Sequence, residues 1–310
     1  MLERLSLPPR LQTLPAEWVG IGLALFSASA SATVGIWAKM GAAAGLSTTS
    51  MLSWRFGLLA ALLILLGYAK VSREQLRPLL FMGLLHVGSA LAYFTALEHI
   101  SASTTALLVY CAPAVVIVLG LLAHIRPSRW QVIALTVTLL GLSVVVGMPG
   151  PADASAVGLM MGGLAGLMYG GYFFASHRLN RGIKPLTVTA VVSLVTSIVA
   201  AGMGAAQGDL SVPHSWAQWL PIVGLALIPS LISMPTLYGA VARIGATRTS
   251  MLTTTDPLWA IALAVMLLGE HLSAGQLLGG ALILTGACLA QRESKPGKRR
   301  VRRGKFWSSP

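Results

Sequence analysis

The chain is short of charge. Only 10% of its 310 residues are Asp, Glu, Lys or Arg, against about 25% in an ordinary soluble domain. Carboxylates are the scarcest, nine in all. A soluble globule of this length needs a far more polar surface, so most soluble folds are excluded. Cysteine is nearly absent too, with Cys111 and Cys288 both in apolar runs. Two such thiols make no disulfide framework, and no Cys/His spacing suggests a zinc site. There is no GxxxxGK[ST] loop, which rules out an ATP-driven machine. Neither a metal constellation nor a nucleophile–base arrangement stands out, so neither catalysis nor a cofactor is expected.

What is present is apolar and basic at once. Hydrophobic residues make up 55% of the chain, yet the formal net charge is +13 from 22 Lys+Arg against 9 Asp+Glu. The mean hydropathy is +0.76. A nucleic-acid binder would spread its cations over a folded polar surface, so nucleic acid is not an expected partner. A polytopic membrane protein with basic loops on one side fits both numbers.

Crossing the hydrocarbon core takes about 20 mostly apolar residues. Ten segments qualify as spans 1–10: 18–38, 51–69, 79–97, 102–124, 130–147, 156–176, 186–206, 219–241, 249–268 and 272–290. With the N-terminus inside, alternation puts 20 of the 22 basic residues on the inner side. Only Lys39 and Arg55 then fall near the outer face, where both are expected to snorkel to headgroups. Trp18 and Trp130 mark the inner interface, and Trp37, Trp54, Trp216 and Trp219 the outer one. Eight of the cations sit with Glu293 in residues 292–310, so +7 of the +13 belongs to one tail. That tail is expected to be cytoplasmic and to touch anionic lipid. The stretch 27–32 (SASASA) resembles a signal-peptidase site, but small residues for close helix packing explain it better.

The chain also repeats itself. Residues 96–119 align with 240–263 at a constant offset of 144, pairing Ala96 with Ala240, Ile100 with Ile244, Thr105 with Thr249 and Pro113 with Pro257. After a one-residue shift Gln131 matches Gln276 and Gly141 matches Gly286. Spans 4 and 5 therefore correspond to 9 and 10. Each half has five helices, and an odd number places the halves in opposite orientations. The expected fold is all-α: ten transmembrane helices as two inverted five-helix repeats. The expected division is a cytoplasmic segment 1–17, repeat 1 at 18–147, an outer linker 148–155, repeat 2 at 156–290 and the tail 291–310.

ALEHISASTTALLVYCAPAVVIVLGLLAH followed by WQVIALTVTLLGLSVVVG resembles the EamA domain of the drug/metabolite transporter superfamily. So does VARIGATRTSMLTTTDPLWAIALAVMLLGEHLSAGQLLGGALILTGACL, where Pro257, Gly269, Glu270, Gln276, Gly279 and Gly286 match the family pattern. The first copy departs from it, with Arg126 where an acidic residue is usual. The resemblance implies a secondary transporter that exports amino acids, aromatic compounds or other metabolites. It further implies that helices 1, 3, 4, 6, 8 and 9 surround a central cavity, while the pairs 2/7 and 5/10 form scaffold or a homodimer surface. Carriers of nucleotide sugars or drug-like cations, a membrane enzyme, and a non-transporting partner or sensor are the alternatives.

Asp256 is the one carboxylate well inside a span, and at that depth an ionisable group is a functional candidate by default. It is read as binding an amino group or carrying a proton, or else as satisfied locally by Thr hydroxyls. Its counterpart in the first repeat is Ala112. Helical spacing places Thr253 and Trp259 on its face. His86 in span 3 is a second candidate, able to meet a substrate carboxylate or Asp256. Tyr93, Tyr110, Tyr169, Tyr172 and Tyr238 are candidate aromatic walls, and Gly166, Gly170 and Gly171 would let span 6 approach its neighbours. Few fixed cations argue against phosphorylated substrates. Pro113, Pro229, Pro235 and Pro257 interrupt spans 4, 8 and 9 as hinges or static kinks.

Overall fold

A computed structural model of the chain describes residues 15–100, 102–146, 155–179, 182–259, 262–263 and 274–291. Every regular element among them is helical. Span 1 is built from α1 (Ala16–Ser31) and α2 (Val34–Ala43), span 2 is α3 (Thr48–Leu65), and span 3 is α4 (Arg73–Leu97). Span 4 divides into α5 (Ala102–Val109) and α6 (Ala112–Leu122), and span 5 is α7 (Arg129–Val146). Spans 6 and 7 are α8 (Ala156–Leu179) and α9 (Pro185–Gln207). Span 8 runs from α10 (Trp216–Ala226) through a π-helical segment (Leu227–Ile232) into α11 (Ser233–Ile244). Span 9 opens with α12 (Ala246–Thr253), and span 10 is α13 (Ala274–Gln291).

Six of these stretches are long and apolar enough to cross a membrane, and shorter apolar helices supply spans 4, 5 and 10. The arrangement fits ten helices. Arg4, Arg10, most of the 148–155 linker, Gly269, Glu270, the side chains of Lys39 and Gln276, and the basic tail lie outside the described residues.

Helix ends follow local chemistry. Ser72 and Gln75 close a reciprocal capping box at the start of α4, and Ser128 and Gln131 exchange the same two bonds at the start of α7. Gly208, at φ 73°, ends α9 in the left-handed conformation that costs glycine little. At the end of the bundle where Gly208 closes α9, Thr49 Oγ1 donates to Asp209 Oδ1 at 2.6 Å, and Trp54 Nε1 donates to the Ser211 carbonyl at 2.9 Å. Trp54 and Trp219 meet edge-on there. At the opposite end Arg248 pairs with Glu17, joining the starts of α12 and α1.

The two repeats are related by reciprocal contacts. Ser89 Oγ in span 3 donates to the Ala165 carbonyl in span 6 at 2.9 Å. Its equivalent at offset 144, Ser233 in span 8, donates to the Ser27 carbonyl in span 1 at 3.0 Å. Gly158 faces His99 and Ile100, and Gly20 faces their equivalents, Arg243 and Ile244. When residue i of one half meets j of the other and the equivalent of j meets the equivalent of i, the halves are related by a two-fold axis. Spans 5 and 10 pack on each other across that axis. A Cβ at Gly141 would lie 2.8 Å from both the Gly279 carbonyl oxygen and the Ile283 amide nitrogen. A Cβ at Gly286 would lie 2.9 Å from the Ala134 carbonyl oxygen and 3.0 Å from the Thr138 nitrogen. Ala134 and Thr138 are the equivalents of Gly279 and Ile283. Spans 2 and 7 pair likewise, with Ser197 Oγ donating to the Ser53 carbonyl at 2.9 Å.

The SASASA stretch is packing surface. Ser27 and Ser31 both meet the Ser233 hydroxyl, at 2.9 and 2.7 Å.

Candidate functional site

Both repeats break their fourth helix at the same place. Span 4 breaks at Tyr110–Cys111 and span 9 at Thr254–Thr255, 144 residues later. A proline follows each break by two residues, Pro113 and Pro257. Proline removes an amide donor and disfavours helical geometry in the residue before it, so the ladder parts there. In span 9 the threonines take over: Thr253, Thr254 and Thr255 each donate to the carbonyl three residues back, at 2.7–2.9 Å. Those hydroxyls are therefore spent on backbone and do not satisfy Asp256.

Asp256 is the first residue past the break. Tyr110 Oη, from the break of the other repeat, approaches its Oδ2 at 3.4 Å, a long hydrogen bond. Oδ1 is buried with no hydrogen-bond partner among the described residues. Tyr93 and Tyr169 also lie within electrostatic range of the carboxylate. Tyrosines from spans 3, 4 and 6 thus lie near one acid from span 9, with Tyr110 in contact with it. Span 6 is positioned by its glycines: Gly166 lies against the Leu108 backbone and Gly170 against the Ala112 carbonyl and Val115. Gly171 makes only ordinary contact with Leu85.

Other candidate positions need correction. Thr253 does not share a helical face with Asp256, because the break at Thr254–Thr255 lies between them, whereas Trp259 follows Asp256 in the same helical stretch. The Thr253 hydroxyl turns back to Ser250, and Trp259 is 39% exposed. His86 does not meet Asp256. Its Nδ1 pairs with Thr196 Oγ1 of span 7 at 3.1 Å, and its ring lies 5.3 Å from both Phe56 and Tyr172. Tyr172 and Tyr238 are buried and hydrogen-bonded to each other through their hydroxyls. Tyr169 stacks on Tyr172 with centroids 6.2 Å apart, so the rings run unbroken from His86 to the Asp256 cluster. Pro229 lies inside the π-helical segment of span 8 and Pro235 just beyond it, near the start of α11.

Arg55 departs furthest from expectation. It does not snorkel outward. Its Nε donates to Ser230 Oγ at 2.6 Å, and the guanidinium sits 4.7 Å from the Phe56 ring centroid. Ser230 in turn donates to the Leu225 carbonyl five residues back, within the widened turn. Ser230 is the offset-144 equivalent of His86, so the third helix of each repeat offers a polar group to its neighbouring second helix. That equivalence was the available signal for Arg55, since it marks span 8 at this depth as polar. Among the described residues no cluster of His, Cys, Asp or Glu is able to hold a metal.

Comparison with known proteins agrees with this geometry. A transporter of Archaeoglobus fulgidus, otherwise uncharacterized, is 28% identical over 243 residues, covering 77% of this chain and 84% of its own. A crystal structure of a protein 23% identical in sequence superposes with a TM-score of 0.74, covering 89% of this chain and 97% of that one, and shares the fold. The EamA-like transporter family model matches residues 18–147 and 156–291. A membrane-embedded, two-repeat helical bundle whose halves both match that model is a transporter and not an enzyme: the chain belongs to the EamA-like transporter family.

Proposed function

We propose that the chain exports a small metabolite, an amino acid or related aromatic compound, across the inner membrane of a bacterium. Transport proceeds by alternating access between the inverted repeats. Both termini are cytoplasmic, the basic tail rests on anionic lipid, and the scaffold pairs 2/7 and 5/10 offer a homodimer surface. The observation that carries this reading is Asp256, a carboxylate with one buried, unpartnered oxygen at the junction of the two helix breaks. An unpaired acid at that depth is costly unless a cation or proton visits it. A substrate ammonium fits the ring of tyrosine hydroxyls and faces around it. Pro113, Pro229, Pro235 and Pro257 mark the places where the helices yield as access alternates.

The test is efflux from proteoliposomes loaded with radiolabelled amino acids, with wild type compared with Asp256→Asn. Loss of efflux of at least tenfold in a variant that remains folded supports the role. Equal efflux from both removes Asp256 from it.

A further inference from the structure

We infer that Arg55, held by Ser230, is a recognition point for a substrate carboxylate. The inference rests on the transport reading above and narrows its substrate class to compounds bearing a carboxylate.

Position comes first. Arg55 lies seven residues into α3, about 10 Å along the helix from Thr48. A guanidinium reaching headgroups would point away from the bundle. This one points to span 8, where Ser230 is fully buried. Keeping a cation in a protein interior at membrane depth requires compensation. Yet the one hydrogen bond it makes is to a neutral hydroxyl, and its nearest ring is its own neighbour, Phe56. No carboxylate of the described residues pairs with it; the one ion pair among them is Arg248 with Glu17.

Geometry comes second. A guanidinium has five donors in a fixed fork, suited to grip a carboxylate through two parallel bonds. Here Nε is tied to Ser230, which fixes the plane of the group. No described residue accepts from Nη1 or Nη2. The tether is itself a local construction: Pro229 supplies no amide donor, the turn widens to π geometry, and the Ser230 hydroxyl is anchored on Leu225. One side of the guanidinium is thereby fixed, and the other side has no acceptor among the described residues.

Surroundings come third. His86 lies close enough to Arg55 to feel its charge, and its Nδ1 is bound to Thr196, leaving Nε2 as a further polar atom. Phe56, His86 and Tyr172 present ring faces and edges in succession toward Tyr169 and Asp256. An anionic head at Arg55 with an aromatic or apolar body along this row matches the chemistry on offer.

The experiment uses the purified full chain in detergent. Thermal stabilisation is measured with four probes of one shape: 3-phenylpropionate, L-phenylalanine, L-phenylalaninamide and 2-phenylethylamine. Only binding to the folded form raises the melting temperature. Wild type should be stabilised by the two carboxylates at concentrations at least tenfold below those needed for the amide and the amine. Arg55→Gln should remove that preference, weakening the carboxylates about 10- to 100-fold. Arg55→Lys keeps the charge but loses the fork and the Ser230 tether. It should weaken them several-fold while the ligand-free melting temperature stays near wild type, which keeps the test valid if the glutamine variant fails to fold. Ser230→Ala should raise the apparent Kd with no change in the order of the probes. Carboxylates that stabilise Arg55→Gln as well as wild type, or no stabilisation by either carboxylate, overturn the inference. Proteoliposome efflux separates this from failure of the transport reading: efflux that persists in Arg55→Gln with an unchanged preference sinks the carboxylate site and leaves transport standing.

Discussion

Spans 4 and 9 part at equivalent residues and are followed by equivalent prolines, but their chemistry differs after the break. In span 4 the first residue is Ala112, 3% exposed and pressed on by span 6 at Gly170. In span 9 it is Asp256, half-buried with an unpartnered oxygen. At the break itself the bias reverses, with Tyr110 in span 4 and Thr254 in span 9. The phenol of one break points to the carboxylate of the other. The symmetric backbone supplies two junctions at one depth, and the side chains make one apolar and the other ionisable.

Making the two junctions alike should do the most damage. Ala112→Asp places a second, unpaired carboxylate at a buried position beside Gly170 of span 6, at a cost of about 3 kcal/mol or more. Folded yield and melting temperature in detergent should fall sharply. Joining it to Asp256→Ala should not restore transport, because the phenol that reaches the carboxylate comes from the span 4 break and span 9 offers Thr254 in its place. A working swapped variant would show that the asymmetry is incidental.

Elsewhere the symmetry is closer, and equal perturbations should have equal effects. Gly141→Val and Gly286→Val each push a side chain into the backbone of the opposing helix, for about 1–3 kcal/mol. Melting temperatures should drop by similar amounts in both. A twofold difference in destabilisation would mean that the α7–α13 seam is less symmetric than its contacts. Ser233→Ala removes the hydroxyl shared by Ser27 and Ser31, where Ser89→Ala removes a single bond to Ala165. The first should cost about 1 kcal/mol more than the second, read by chemical denaturation. Tyr110→Phe should have the smallest effect, since its bond to Asp256 is long. Stability should hold and efflux should change by less than about fivefold.

Much of the fold was legible because its signals are local or periodic. Apolar runs marked the spans, and the offset of 144 carried the repeat into structure down to the position of the helix breaks. Asp256 was legible because a carboxylate in a long apolar run stands out in any alignment of charge with depth. Thr253 leaves the face it would share with Asp256 because a helical period does not carry across the turn at Thr254–Thr255, two residues ahead of Pro257. Arg55 turns inward for a reason of a different kind. Near the end of a span, an inward and an outward guanidinium have the same sequence. What decides between them is an acceptor 175 residues away, presented by a turn that widens around Pro229. His86 failed to reach Asp256 because span 7 offers Thr196 on its own side, a tertiary competitor with no sequence mark.

The seam between α7 and α13 carries a last consequence. Doubling a part ordinarily provides a spare, so that a fault in one copy is covered by the other. Here each copy of the glycine is the socket for the other copy's backbone. Filling either one opens the same joint, so the repeat carries no spare at this position. Both halves must keep it for either to close.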